Sequence, residues 1–388
     1  MKSKRIKVAL LIDKSETYDR GLIKGIIKFS NLSGPWEFFL VGPNYIASNQ
    51  KEILIKDITE WKPDYIVMND DFEVSDLEKL QIPIFVTSTK YIDSGAVNVI
   101  ADDYKLGKLG ATYFIDRGHE NFAFYGSNQI FWSRRRKSTF QKTVLSKKFS
   151  FFEAESMLDD GWQKNVQQLI PWLQKLPKPI AVMACSDEFG AHLLKASQLA
   201  NLKVPEEVAI LGVDNDEFVC NLYGIPMSSI DQNSEAIGLE IAHHITLHQM
   251  HGNELPKEII GKNMRIVSRR STDIFAIKDS QMKIALEFIQ QQSRDRRLSV
   301  DDVVSETFLS RRLLEIRFRK MLNRTILQEI IRVRVDIICK YLTQTDKPIN
   351  IIAYEMGFNS LTSFSSFFKK EMKINALQFR KQYKITLP

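Results

Sequence analysis

Along the first 275 residues, short unbroken apolar runs alternate with stretches in which apolar positions recur every three or four residues. The run IKVALLID (6–13) predicts a buried strand, and DRGLIKGIIKFS predicts a helix with Leu22, Ile26 and Phe29 on one face. WEFFLVG predicts the next strand, EILIKDITEW a helix, DYIVMN a strand, and IPIFVTS a further strand introduced by Pro83. Strands and helices in this order predict a parallel sheet covered on both faces. Past residue 100 the cycle restarts, with KLGKLGATYFIDRG as a helix stopped by Gly118 and strands at NFAFYG, IAVMACS and VAILGVD. The segment SEAIGLEIAHHITLHQMHG predicts a long helix that opens on Ser234 and ends at Gly252. Two similar α/β lobes in tandem are the expectation for residues 1–275.

From about residue 281 the period becomes helical throughout. In SVDDVVS, Ser299 is placed to cap a short helix, with Asp302 three residues on, and Val300, Val303 and Val304 turn inward. A turn at Thr307 and Phe308 leads to Ser310, the expected cap of a helix with Leu314, Phe318 and Met321 inward and Arg311, Arg312 and Glu315 outward. The plan then repeats. NIIAYEM is a supporting helix, Gly357 takes a turn that needs positive φ, and a second helix packs Phe364 and Phe368 inward. Asn359, Ser360, Leu361, Thr362, Ser363 and Ser366 lie on or beside its outer face, and Lys369 and Lys370 follow at its end. ILQEIIRVRVDIICKYLTQ joins the two units as one helix. Helix, tight turn and exposed helix, twice over, predict two helix-turn-helix units that enter successive major grooves if about 34 Å apart. The expected organisation is an effector domain at 1–275, a linker at 276–285 and an all-α domain at 286–388.

Charge sharpens this division. The net charge of +7 comes from the last quarter: from Gln281 onward there are 20 Lys and Arg against 11 Asp and Glu, leaving 34 against 36 before it. A surface for a polyanion therefore belongs to the helical part, where small hydroxyls allow close approach and the lysines neutralise phosphates. Cys185, Cys220 and Cys339 stand far apart with no CxxC spacing, so neither a disulfide framework nor a zinc knuckle is indicated and a reducing cytoplasm is expected. The N-terminal apolar run is too short for a signal sequence, and no stretch has the length of a membrane span.

The predicted strands end in polar groups: Asp13, Asp102 and Asp103, Ser186 and Asp187, Asp214 and Asn215. In open α/β sheets these edges face the ligand crevice, although each such Asp also suits a helix cap or turn. Planar carboxylates, an arginine and an aromatic face match the paired hydroxyls and apolar C–H face of a sugar. FWSRRRKSTF supplies Trp132 for the face and Arg136 for the fork. Nucleotide chemistry is not encoded, since there is no GxxxxGK[ST] and no GxGxxG after the first strand. Binding without turnover is favoured, and a sugar-processing enzyme with a helical appendage is the competing reading. His243, His244, His248 and His251 share one helix; the last three could face a metal, but a polar solvent face explains the same spacing and no metal or cofactor is expected.

Residues 298–383 resemble the AraC-type DNA-binding domain through LSRRLLEIRF, IAYEMGFNSLTSFSSFFKK and FRKQY. They depart from it at Phe308, where a Gly is usual, and at Lys373 and Ala376, where Gly and Pro are usual. The first 275 residues are similar to the LacI/GalR-type effector domain, itself like periplasmic sugar-binding proteins, through NVIADDYKLGKLGATYFIDRGHENFAFYG, MACSDEFGAHLL, AILGVDNDEF and VSRRSTD. That resemblance implies ligand contacts at Asp102, Arg136, Ser186 or Asp187, and Asp214. The order of the two modules resembles the xylose-responsive operon regulators, a likeness that includes Tyr18, Asp19 and Arg20. It implies a dimeric, cytoplasmic transcriptional activator that answers D-xylose, binds operator half-sites in duplex DNA and works with RNA polymerase. Another monosaccharide, such as arabinose or ribose, remains an alternative effector.

Overall fold

The computed structural model describes residues 5–34, 36–40, 50–69, 75, 77, 79–87, 95–156, 160–273, 279–293, 298–322 and 324–383. The chain divides into two compact units, Met1–Thr112 with Asn121–Asp273, and Tyr113–Glu120 with Ile274–Pro388.

The first unit is α/β. Its elements are β1 (Lys7–Leu11), α1 (Thr17–Ser33), β2 (Glu37–Leu40), α2 (Gln50–Trp61), β3 (Tyr65–Asn69), β4 (Ile84–Thr87), β5 (Val97–Ile100) and α3 (Asp103–Ile115). There follow β6 (Asn121–Gly126), α4 (Phe131–Ser146), β7 (Ser150–Glu155), α5 (Gly161–Lys175), β8 (Ile180–Ala184), α6 (Asp187–Leu199), β9 (Val208–Val213), α7 (Glu217–Asn221) and β10 (Ser228–Asp231). A long helix, α8 (Ser234–His251), precedes β11 (Glu258–Ile260) and β12 (Arg265–Val267). Two sheets result, in the orders β11-β5-β4-β3-β1-β2 and β12-β10-β9-β8-β6-β7. Their pairings are parallel except for β12, which runs antiparallel to β10. Strands β8 and β9 are buried at every residue, which is why they read as continuous apolar runs.

The lobes are not a simple tandem. Strand β11 joins the first sheet beside β5, and α8 packs on α1 so closely that both helices need glycine. A Cβ on Gly25 would stand 2.1 Å from the Glu235 carbonyl oxygen, and one on Gly238 would stand 2.1 Å from that of Leu22. The chain therefore passes between the lobes after β5, after β10 and between β11 and β12. Sheet pairing is non-local, so a returning strand has no local signature.

The second unit contains α9 (Ser280–Gln292), α10 (Val300–Ser305), α11 (Arg311–Leu322), α12 (Ile326–Gln344), α13 (Ile349–Glu355), α14 (Leu361–Met372) and α15 (Ala376–Tyr383). Two small cores share α12. Its N-terminal half packs Ile326, Ile330 and Val333 with Leu314, Phe318 and Leu322, and its C-terminal half packs Ile338 and Leu342 with Ile352, Phe364 and Phe368. The capping box predicted at Ser299 and Asp302 forms, and a second forms at Thr325 and Gln328. Two expectations are corrected. Residues 280–285 of the expected linker belong to α9, whose Met282 and Ala285 enter the first core, while 276–278 lie outside the described residues. In α11 the inward position of the last turn is Leu322, with Met321 at the surface, because the core lies on the Leu314 side of the helix. Gly357 and Lys373 both take positive φ, at 71° and 63°. Among the described residues no helix is long and apolar enough to cross a membrane.

Candidate functional site

The C-terminal strand edges of the first unit open on a cleft of about 500 Å³. Asn69 and Thr87 reach it from the ends of β3 and β4, Ser186 and Asp187 from the β8–α6 junction, and Asp214 from the end of β9. Trp132 and Arg136 come from α4, and Asp103 from the first turn of α3.

Among the described lining residues, Arg136 is the cation. Its Nε donates to Asp103 Oδ1 at 2.9 Å and its Nη1 to the Cys185 carbonyl at 2.6 Å, while the guanidinium lies 4.4 Å from the centre of the Trp132 ring. Burial disfavours both charges of the pair. For Arg136 the combined pull of Asp103 and Asp214 outweighs burial and raises its pKa; for Asp103 burial outweighs the arginine, so that carboxyl is raised too. Asp187, 2% exposed, accepts from the Asp216 amide at 2.7 Å through Oδ2. Burial, then repulsion from Asp214, pushes its pKa well up. Asp214 has φ 105°, a conformation costing a non-glycine residue about 1–3 kcal/mol, and its carboxylate accepts from the Gln232 side-chain amide. At the rim, burial and then the repulsion of Glu188, Asp214 and Asp13 raise the Glu16 pKa to about 7.

Of the residues expected from sequence, the cleft brings together Tyr18, Asp19, Trp132, Arg136, Ser186, Asp187 and Asp214. Two stand elsewhere. Asp102 accepts from the Lys105 amide at 3.0 Å in the first turn of α3, and the adjacent Asp103 lines the cleft instead. Arg20 lies beside the cleft, donating to Asp216 at 2.8 Å and to Thr17 at 2.7 Å. Sequence reasoning missed Asn69, Thr87, Glu16, Asp216 and Gln232. The strand-end rule applied to β3 and β4 would have found the first two.

Six side-chain atoms in this lining are buried without a hydrogen-bond partner among the described residues: Tyr18 Oη, Thr87 Oγ1, Asp103 Oδ2, Ser186 Oγ, Asp187 Oδ1 and Gln232 Oε1. Buried polar atoms are paired as a rule, so six on the residues that line one cavity mark a place for a polar ligand. Among the described residues the lining carries eight carboxyl groups and one cation, Arg136, a balance that disfavours phosphates and other anions and admits a neutral polyol. Trp132, Ile130, Val99 and Phe189 add apolar surface for a C–H face.

Two of the histidines of α8 make packing contacts. His248 Nδ1 lies 2.6 Å from the Tyr65 hydroxyl, and the His243 ring meets the edge of Phe29. Among the described residues no group of His, Cys, Asp or Glu is arranged to hold a metal ion.

In the second unit, Ser310 and Ser360 cap α11 and α14, their Oγ atoms accepting from the amides of Leu313 (3.3 Å) and Ser363 (3.1 Å). Arg311, Arg312, Asn359, Ser360, Leu361, Thr362, Ser363, Ser366, Lys369 and Lys370 are all exposed. Arg311 pairs with Asp301 at 2.9 Å, and Glu315 is half-buried with a shielded Oε2.

Residues 303–382 match a helix-turn-helix domain. Residues 111–272 match a periplasmic binding protein-like domain. Over 98% of both chains, the protein is 27% identical to the xylose operon regulatory protein of Escherichia coli (strain K12). It is 28% identical to the xylose operon regulatory protein of Haemophilus influenzae, over 96% of this chain and 98% of that one. Among solved structures, the xylose-binding transcription activator xylR has the same fold, with a TM-score of 0.62 at 24% identity, covering 99% of this chain and 100% of the other. A LacI family regulator from Enterococcus faecium with bound ribose has a TM-score of 0.58 at 18% identity, over 71% of this chain and 100% of the other.

Proposed function

We propose that the protein is a sugar-responsive transcription regulator whose α/β unit binds a pentose, D-xylose first among them, and whose helical unit binds duplex DNA. The observation that carries the sugar is the set of six buried polar atoms, without a hydrogen-bond partner among the described residues, that belong to the lining residues of one acidic cleft. Hydroxyls both donate and accept, so a pentose can satisfy carboxylate, hydroxyl and amide atoms together, and a hydrogen bond to a charged group contributes about 1.5–3 kcal/mol. In this reading Asp103, Arg136, Asp187 and Asp214 hold the hydroxyls and Trp132 covers the apolar face. The names of the full-length relatives favour xylose over arabinose or ribose.

Binding becomes regulation only if the sugar prefers one state of the protein, because equal affinity for both shifts nothing. By analogy with the xylose-binding activator, the output is activation through RNA polymerase, by a cytoplasmic homodimer placing its helical units on operator half-sites. No reaction is assigned to the cleft, and the sugar is expected back unchanged.

The test is a thermal-shift panel of monosaccharides followed by calorimetry. D-xylose should raise the melting temperature most, and Asp214→Ala should weaken its binding about 10- to 100-fold. A panel in which no monosaccharide shifts the transition refutes the effector reading, and unchanged xylose affinity in Asp214→Ala removes that residue from the site.

A further inference from the structure

The two exposed helices of the second unit stand in a fixed register of fifty residues. Both run for 12 residues, both are capped by a serine, and both bury their fourth and eighth positions: Leu314 and Phe318 in α11, Phe364 and Phe368 in α14. Equivalent outward positions can therefore be compared directly. Arg319 and Lys320 match Lys369 and Lys370, two cations at the same place in each helix. The positions one and two turns earlier differ: Arg312 and Ile316 in α11, Thr362 and Ser366 in α14.

We infer that Ile316 reads a thymine methyl group, and that α11 carries more of the base discrimination than α14. The inference rests on the DNA-binding reading above. A single exposed isoleucine is ordinary on a protein surface, but the surroundings of this one are not. It is 51% exposed on the face opposite Leu314 and Phe318. Arg312 lies one turn before it, and Arg319 and Lys320 lie one turn after it. A surface so charged suits a polyanion, and the apolar group that duplex DNA offers in its major groove is the C5-methyl of thymine. Arg312, beside it, has the fork that pairs with guanine O6 and N7. Arg311 and Arg317 are drawn to Asp301 and Asp279 and leave this face to Arg312 and Ile316. In α14 the hydroxyls of Thr362 and Ser366 can donate or accept and so discriminate little between bases.

The test uses the full chain and a duplex it enriches from a randomised pool. Each thymine of that duplex is replaced in turn by deoxyuridine, which lacks only the methyl group. At one thymine the replacement should weaken binding about fourfold, the worth of one buried methyl group. Ile316→Ala, whose fold is checked by circular dichroism, should bind more weakly and lose sensitivity to that replacement, whereas Ser366→Ala should keep it. Indifference of the natural chain to every replacement overturns the inference, as does undiminished sensitivity in Ile316→Ala. Enrichment of no duplex would refute the DNA-binding reading itself, and the inference with it.

Discussion

Replacing Arg136 by methionine removes a buried cation of the cleft while keeping much of its volume. Arg136 is 4% exposed and Asp103 is 1% exposed, so solvent does little to soften the loss. The substitution deletes the bonds to Asp103 and to the Cys185 carbonyl and leaves a buried carboxylate without its counter-charge. Breaking such a pair costs about 3–5 kcal/mol, which for a unit of this size lowers the melting temperature by roughly 6–20 °C. Removing both charges is gentler. Asp103→Leu with Arg136→Met should recover most of the stability, because an apolar pair of similar volume is close to neutral, yet it should not bind a pentose. Acidity gives an independent check. Burial raises the Asp103 pKa, and in Arg136→Met the main opposing influence is gone. The folded state then holds a proton that the unfolded state has released, so the stability deficit is smallest near pH 5 and grows toward pH 8. Calorimetric unfolding of the three variants across that range measures all of this. A single variant that loses less than about 1 kcal/mol, or a double variant no better than the single, would refute the view of Arg136 and Asp103 as a mutually dependent buried pair.

Three further outcomes follow from named contacts. Because the Glu16 pKa is raised to about 7, the folded protein binds more protons than the unfolded one between its ordinary value and neutrality. Stability should therefore fall as pH rises from about 4.5 to about 7 and level off above, and Glu16→Gln should flatten that dependence in thermal melts. Gly238→Ala should cost about 1–3 kcal/mol in urea unfolding, since its Cβ would meet the Leu22 backbone where α1 and α8 cross, and neither backbone can yield as a side chain would. Lys373→Gly should stabilise the helical unit by about 1 kcal/mol, because Lys373 ends α14 at φ 63°, where a side chain is strained and glycine is not.

The helical unit was legible because its signals are local. A serine before each exposed helix, an acid three residues into α10, a glycine at the turn and aromatic residues a turn apart are stated within a few residues of where they act. The α/β strands were legible where the sequence is an unbroken apolar run, as in β1, β2, β8 and β9, and illegible where polar residues interrupt the run or only three residues pair, as in β7 and β10 to β12. The return of the chain to the first lobe depends on the pairing of β11 with β5, strands more than a hundred residues apart, for which no window of sequence holds a signal. The cleft was legible at the level of strand ends and less so at single residues. Asp102 and Asp103 are neighbours of the same type, and the helix start they share sends the first to an amide of its own turn and the second to Arg136. Gln232 and Asp216 lie in connections between elements, and only the closing of the two lobes on one cavity makes them part of it.

The measurement that bears most directly on the whole account is a binding curve for the full chain on a fluorescent duplex enriched by it, taken with and without saturating D-xylose. The account predicts saturable binding whose midpoint moves by tenfold or more when the sugar is present, with no movement when L-glucose replaces it. Superimposable curves, under conditions where calorimetry shows the cleft filled with D-xylose, would contradict it.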